Sequence, residues 1–173
     1  MEQLRGIDLK RFLRRVKKPD IELFLLLENI QYAKNVASIF RTAEAFFVKK
    51  IFLTGISKTP PFGKDLKKAS RNKEEKVHWE YKKTTGETIQ SFKNRGFEIV
   101  SLEITDKSEN IAEFKPKKNT LLIVGNETYG VTKETLERSD KSVFIPMFGK
   151  GSSLNVSSAA AVALNNLISN SRK

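Results

Sequence analysis

Cysteine is absent from this 173-residue sequence, and histidine occurs once, at position 78. Without cysteine, the chain forms no disulfide bond, no thiolate zinc site and no cysteine nucleophile. A single histidine excludes a histidine-rich metal site and argues against a Ser-His-Asp hydrolase. Because His78 stands beside Trp79 in a predicted strand, we interpret it as structural. The sequence therefore predicts no metal site.

Long hydrophobic runs are also missing. The longest apolar stretch, residues 21–27, contains Glu22 and is far shorter than the roughly 20 residues that span a bilayer. The basic N-terminus lacks the apolar segment of a signal peptide. We therefore expect a cytoplasmic protein with no membrane partner. The hydrophobic content of 39% suits a single domain with a substantial core.

Acidic residues are outnumbered, because 32 Lys and Arg stand against 20 Asp and Glu, for a formal net charge of +12. A polyanion, most commonly a nucleic acid, is the natural partner of such a surface. Clustering of these charges argues against a surface that is basic only for solubility. The clusters comprise Lys10, Arg11, Arg14, Arg15 and Lys18 near the N-terminus, and Lys67, Lys68 and Arg71 further along the chain.

Strands and helices alternate along the sequence. Residues 7–17 have apolar side chains at helical spacing and a basic outer face, which predicts an amphipathic helix. Strands are expected at 21–27, 50–53, 77–81, 97–104, 121–124 and 142–145, and further helices at 35–47, 64–72, 85–95, 111–114, 133–138 and 155–168. Short, wholly apolar strands are typical of a sheet covered on both faces. We predict an open, mostly parallel α/β sheet with helices on both faces.

Two glycine-containing loops follow predicted strands, at residues 125–130 and 146–153. Parallel sheets bind ligands at the carboxyl ends of their strands, so one ligand between the loops is expected. Neither a P-loop nor a dinucleotide fingerprint fits, because Phe144 and Leu154 occupy positions that require glycine. Loop amides and a helix N-terminus near Asn155 suit a carboxylate, a phosphate or a nucleoside. A plain loop with Asn155 as helix N-cap is the alternative.

Three segments together resemble the SpoU (TrmH-like) family of RNA 2′-O-ribose methyltransferases, in the SPOUT class. They are residues 35–46 (NVASIFRTAEAF), 124–131 (VGNETYGV) and 145–156, which begins with Ile-Pro-Met and ends with Ser-Leu-Asn-Val. Each segment alone is a weak signal, but their order and spacing are specific. The resemblance covers roughly residues 21–168, and Ala37 and Phe47 depart from it where the family usually has glycine.

The resemblance implies an S-adenosylmethionine-dependent 2′-O-methyltransferase that acts on tRNA, or alternatively on rRNA, without a metal. It also implies a homodimer with a shared site, and a deep C-terminal trefoil knot that pattern reasoning does not predict. Residues 1–20 would be a basic extension and residues 21–173 the SPOUT domain. Both basic clusters would bind RNA. The cofactor would contact the backbone of Leu102, Gly125, Ile145, Met147 and Leu154.

By the same resemblance Arg41 is the key catalytic residue and Asn35 fixes its position, although on pattern alone Arg41 would be a solvated surface residue. Because a guanidinium keeps its proton in proteins, a general base is the weaker alternative. A clamp on the phosphate beside the target ribose fits Arg41 better. Glu127 either supports Arg41 across the site or caps a loop. Ser153 and Asn155 supply polar groups close to the cofactor.

Two other functions are alternatives to this enzyme. One is a basic RNA-binding or chaperone module on the same fold that has no catalytic activity, and the other is methylation of a base. The presence of all five candidate catalytic residues favours an enzyme. Asn35, Arg41 and the Ser-Leu-Asn sequence argue against base methylation. Binding of S-adenosylhomocysteine separates the enzyme from the module.

Overall fold

The computed structural model describes residues 2–171. Residue 1 of the predicted basic extension and residues 172–173 of the predicted SPOUT domain lie outside the described residues. The helices are α1 (Gly6–Leu13), α2 (Ala33–Ala45), α3 (Lys64–Ser70), α4 (Thr85–Asn94), α5 (Lys133–Arg138) and α6 (Val156–Ser171). The strands are β1 (Leu23–Glu28), β2 (Ile51–Thr54), β3 (Trp79–Lys82), β4 (Glu98–Leu102), β5 (Glu109–Asn110), β6 (Thr120–Val124) and β7 (Lys141–Phe144). Strands and helices alternate as predicted except between β4 and β6, where β5 is found and the predicted helix is not, and most other boundaries shift by a few residues.

All the strands form one 7-stranded sheet in the order β3-β2-β1-β6-β4-β7-β5. Every neighbouring pair is parallel, which confirms the predicted parallel sheet. Since the strands share one direction, the ends of β1, β6, β4 and β7 meet at one edge. The loops that follow these strands are thereby brought together.

Apolar side chains cover both faces of the sheet. Leu25 and Leu27 of β1 belong to a cluster with α2 and α6, whereas Leu26 belongs to a second cluster with Ile89 and Phe92 of α4. Burying one such side chain stabilises the fold by about 1.5–3 kcal/mol. The two clusters make the sheet a rigid platform for its loops.

Helix α6 packs on α2 through small side chains. Ala160 and Ala163 are fully buried there, so the two backbones approach closely.

Helix α6 ends at Ser171, beyond the predicted end at residue 168, and Asn170 holds its last turn through side-chain hydrogen bonds. The Asn170 side-chain amide donates to the carbonyls of Ile111 (3.3 Å), Ala112 (3.2 Å) and Phe114 (2.9 Å).

The prediction of a helix at residues 111–114 is wrong. The segment is a turn after β5, a two-residue strand that the pattern did not predict. The Asn110 side chain accepts a hydrogen bond from the Ala112 N–H, which favours a local turn over helical hydrogen bonding. Pro116 follows shortly afterwards and has no N–H to continue a helix.

Helix α1 lies apart from the core. It ends at Leu13, whereas the prediction ran to residue 17, and none of its residues is buried. Its apolar stripe, which includes Phe12 at 53% exposure, faces solvent. Across residues 2–171, α1 and the other helices are all too short or too polar to cross a bilayer.

Candidate active site

A cleft of about 600 Å³ opens at the carboxyl edge of the sheet. Its lining comes from the ends of three strands with the residues after them, from the start of α6 with the residues before it, and from the start of α2. The lining residues are Leu102, Glu103 and Ile104; Val124, Gly125, Asn126, Glu127, Thr128 and Gly130; Phe144, Ile145 and Met147; Ser152, Ser153, Leu154, Asn155, Val156 and Ala159; and Tyr32 and Asn35. All three segments of the resemblance therefore meet at one place. The predicted cofactor-binding residues Leu102, Gly125, Ile145, Met147 and Leu154 all line the cleft.

The loop after β6 is closed on itself. The Asn126 N–H donates to the Gly130 carbonyl (3.0 Å) and the Gly130 N–H to the Asn126 carbonyl (2.9 Å). A Cβ on Gly125 would lie 2.2 Å from the Gly130 carbonyl carbon and from the Val131 nitrogen. Only glycine fits at position 125, because the backbone atoms that it meets have no room to shift.

A chain of hydrogen bonds crosses the top of the cleft. The Asn155 Oδ1 accepts from the Ser157 N–H (2.9 Å), and the Asn155 Nδ2 donates to Asn35 Oδ1 (3.0 Å). Asn35 Nδ2 then donates to Glu127 Oε1 (2.7 Å). Since a backbone N–H only donates and a carboxylate only accepts, both amide orientations are fixed by the chain's two ends.

Asn155 has the capping role of the plain-loop alternative and a second contact that the sequence did not predict. It caps α6 through the Ser157 N–H, as the plain-loop interpretation requires. Its amide also reaches Asn35 on α2, which lies 120 positions earlier in the sequence. A helix cap is thus part of the contact that joins the first and third segments.

Glu127 likewise combines a loop cap with a contact inside the site. Its carboxylate accepts from the N–H groups of Gln31 (2.8 Å) and Tyr32 (3.1 Å), which precede α2, and from Asn35. Burial raises the pKa of Glu127, but these hydrogen bonds outweigh it and hold the pKa below the ordinary value of 4.5. The carboxylate is therefore ionised at neutral pH and ties the second segment to the first.

The cleft has an acidic lining. Glu103 and Glu127 are its charged residues, and no Lys, Arg or His from the described part of the chain lines it. Within residues 2–171, neither carboxylate forms an ion pair. Two uncompensated carboxylates favour a cationic ligand over a phosphate.

Arg41 does not line this cleft. It is exposed on α2, about 9 Å along the axis from Asn35 and roughly 120° around the helix. The hollow beside it, of about 310 Å³, is formed by Ser38, Thr42, Ala45, Phe46, Ala69 and Ala161 as well as Arg41. Asn35 and Arg41 of one chain therefore face different spaces.

The remaining predicted residues fall into two groups. Ser153 lines the cleft with Asn155. The residues predicted to bind RNA, Lys10, Arg11, Arg14, Arg15, Lys18, Lys67, Lys68 and Arg71, are all exposed and lie outside the cleft lining. The basic surface is thus separate from the acidic cleft.

Sequence reasoning missed two residues that shape the site. Asn126 is mostly buried, and its side chain accepts from the Thr128 and Tyr129 N–H groups and donates to the Asn29 carbonyl. Glu103 accepts from the Val131 N–H. An Asn directly after a strand-end glycine is a turn signal that could have identified Asn126. No pattern in the sequence distinguishes Glu103 from a surface glutamate.

Comparison with known proteins finds a matching family and similar sequences. A model of the SpoU rRNA Methylase family matches residues 22–165. The tRNA (guanosine(18)-2′-O)-methyltransferase of Aquifex aeolicus (strain VF5) is 33% identical over 162 residues, which cover 90% of this chain and 73% of that relative.

Solved structures share the fold. The A. aeolicus TrmH/SpoU tRNA modifying enzyme has a TM-score of 0.76 at 31% identity, with 91% of this chain and 79% of that chain covered. The AdoMet-bound rRNA methyltransferase from Sinorhizobium meliloti has a TM-score of 0.77 with 87% and 57% covered, but at 24% identity it shows only the fold. The match over residues 22–165 confirms the resemblance, and the chain belongs to the SpoU rRNA methylase family.

Proposed function

We propose that this protein transfers a methyl group from S-adenosylmethionine to a ribose 2′-oxygen of tRNA. The observation that carries the proposal is the hydrogen-bonded chain from Ser157 through Asn155 and Asn35 to Glu127, which joins the three family segments over one cleft. The Aquifex relative is named for this reaction at guanosine 18 of tRNA. That name supports both the reaction and the class of RNA.

The cleft fits S-adenosylmethionine in size, polarity and charge. Its volume of about 600 Å³ suits a nucleoside-sized ligand. Leu102, Ile145, Met147 and Leu154 would enclose the adenine ring, and the two carboxylates would attract the sulfonium cation. When bound, the cofactor would supply an electrophilic methyl group to the ribose 2′-oxygen by in-line displacement, in which the sulfur–methyl bond breaks and S-adenosylhomocysteine is left.

The residues of this chain hold the reacting groups and stabilise charge. Because Glu127 already accepts from three donors and has a lowered pKa, it is a poor base and instead keeps α2 and Asn35 in place. Arg41 would grip the phosphate beside the target ribose and stabilise negative charge that develops on the 2′-oxygen. The hydroxyl proton then passes to solvent.

A homodimer would bring Arg41 to the cleft. Within one chain Arg41 lines the hollow formed by α2, α3 and α6, and Asn35 does not line this hollow. The small residues around it, Ser38, Thr42, Ala45 and Ala161, allow close approach of a second copy. We propose that each cleft receives Arg41 from the other subunit.

The C-terminal segment would form the trefoil knot of the SPOUT class. The sheet order supports this proposal, because β7 is inserted between β4 and β5 and is followed by the cleft-lining loop and α6. The division into a basic extension, residues 1–20, and a methyltransferase domain, residues 21–173, is supported by α1. None of its residues is buried, and the family match begins at residue 22.

The test is methyl transfer from labelled S-adenosylmethionine to tRNA transcripts, with the modified nucleotide located by resistance to alkaline cleavage. A 2′-O-methyl group blocks that cleavage, so the expected product is one protected linkage. Asn35→Ala should be inactive, whereas Lys34→Ala, an exposed neighbour on α2, should remain active.

Other outcomes identify the alternatives. Label that enters only ribosomal RNA would change the substrate, and label in an alkali-sensitive nucleotide would indicate base methylation. Failure to bind S-adenosylhomocysteine in calorimetry would leave a non-catalytic RNA-binding module.

A further inference from the structure

The carboxylate of Glu103 is held at the carboxyl end of β4, inside the cleft. It follows Leu102, the last residue of that strand, and both residues line the cleft. Oε2 accepts from the Val131 N–H (2.9 Å) and Oε1 accepts from the Ile104 N–H (3.0 Å). Each oxygen is thus fixed by a backbone donor, which leaves this side chain far less mobile than a surface glutamate.

The neighbouring loop is built to approach this carboxylate. A Cβ at Gly130 would lie 2.1 Å from Glu103 Oε2, and Gly130 has a φ of +67°, in the left-handed region that glycine favours. A side chain at position 130 would therefore push the carboxylate away. Glu103 consequently links β4 to the loop that carries Glu127.

Glu103 still has unused hydrogen-bonding capacity. An ionised carboxylate offers about four acceptor positions, and the two backbone donors occupy only some of them. Glu127, the other carboxylate of the cleft, is already used by Gln31, Tyr32 and Asn35. Glu103 is therefore the carboxylate that is available to a ligand.

The apolar surface beside Glu103 indicates which groups of the ligand would lie nearest to its carboxylate. Leu102 belongs to the proposed adenine-binding surface, and the ribose is bonded directly to the adenine. The 2′- and 3′-hydroxyls are adjacent, so one carboxylate can accept a hydrogen bond from each of them. Acidic residues bind ribose hydroxyls in dinucleotide-binding folds. Hydrogen bonds to an ionised acceptor are also stronger than neutral ones.

We propose that Glu103 binds the ribose hydroxyls of the S-adenosyl ligand and couples that contact to the loop at Gly130. This inference rests on the proposed cofactor. The competing ligand group is the α-ammonium of the cofactor's amino acid, which also suits a carboxylate. The two are separable because 5′-methylthioadenosine keeps the ribose and lacks the ammonium.

The experiment is calorimetric binding of three compounds: S-adenosylhomocysteine, its 2′,3′-dideoxy analogue and 5′-methylthioadenosine. Glu103→Gln should weaken binding of S-adenosylhomocysteine and 5′-methylthioadenosine by roughly 10- to 100-fold. Binding of the dideoxy analogue should change by less than about threefold, because the lost partners are already absent. Glu98→Gln, which removes the same charge at the opposite end of β4, is the matched control and should bind like the wild type.

Three results would overturn the inference. Equal losses for all three compounds would mean that Glu103 only supports the loop. A loss that spares 5′-methylthioadenosine would assign the carboxylate to the ammonium. In the wild type, which has no folding defect, equal affinities for S-adenosylhomocysteine and its dideoxy analogue would exclude the hydroxyl contact. If the wild type bound none of the three, the proposed function itself would fail.

Discussion

At the scale of single residues, Glu127 should make the stability of the fold depend on pH. Its pKa is lowered, so its stabilising contribution is complete above the ordinary value of 4.5 and is lost as the pH falls through the lower folded value. In Glu127→Gln, an amide NH2 group, which only donates hydrogen bonds, takes the place of one carboxylate oxygen. It would face backbone N–H groups that cannot accept a hydrogen bond. We expect it to lower the free energy of unfolding at pH 7 by about 1–3 kcal/mol.

The check is urea unfolding of wild type and Glu127→Gln from pH 7 to pH 3. The difference between them should shrink in acid, because the wild-type carboxylate becomes protonated. Glu137→Gln, on the exposed side of α5, controls for the loss of one negative charge. A gap that stays constant over the whole range would show that the ionised carboxylate is not what holds α2.

Arg41 is expected to act in the transition state and not in cofactor binding. Arg41→Ala should reduce single-turnover methyl transfer on the order of a hundredfold or more, while the affinity for S-adenosylhomocysteine stays nearly unchanged. Arg41→Lys should fail as well, because a point charge does not reproduce a planar, two-pronged clamp. Near-normal rates for Arg41→Ala would remove this residue from the mechanism.

The sequence predicted these residues unevenly, for a physical reason. Asn35, Glu127, Ser153 and Asn155 lie in segments whose spacing resembles a family, and the structure places all four at the cleft. Glu103 was missed because its position depends on a backbone N–H that lies 28 residues away in the sequence. Periodicity does not encode such a contact.

At the scale of elements, the parallel sheet was predictable because wholly apolar strands require cover on both faces. The turn at residues 111–114 was not, because the Asn110 side chain favours local hydrogen bonds over a helix. For α1 the periodicity was correct, but it gave no information on what the helix packs against. An apolar stripe predicts a helix and does not identify its partner.

The basic residues in α1 and directly after it should make RNA binding sensitive to salt. Arg11, Arg14 and Arg15 are exposed, and if each meets a phosphate, binding displaces counterions. Changing all three to Gln should flatten the slope of log affinity against log salt by up to about three units.

Filter binding between low and physiological salt measures this slope. Since Arg11, Arg14 and Arg15 are all exposed, the triple variant should unfold at the same temperature as the wild type. A matched variant with Lys115, Lys117 and Lys118 changed to Gln removes the same charge from another exposed segment. Equal slopes for the two variants would mean that α1 contributes only net charge.

At the scale of the whole molecule, the separation of Arg41 from the cleft requires a second copy if both serve one reaction. The first expectation is a dimer in dilute solution, with twice the 19.7 kDa chain mass in sedimentation at micromolar concentration. A purely monomeric species would contradict the shared site. Oligomeric state alone, however, does not show which residues are shared.

Mixing defective subunits tests the sharing directly. Arg41→Ala and Asn155→Asp should each be inactive, and the aspartate keeps the helix cap while losing the donor to Asn35. In an exchanged mixture about half of the dimers are mixed, and each holds one intact site, so about a quarter of wild-type activity should return.

The control is Asn155→Asp mixed with Glu127→Gln. Those defects lie in the same cleft, so every mixed dimer has two damaged sites and no activity should return. Equal recovery in both mixtures, or none in either, would place Arg41 outside a shared site.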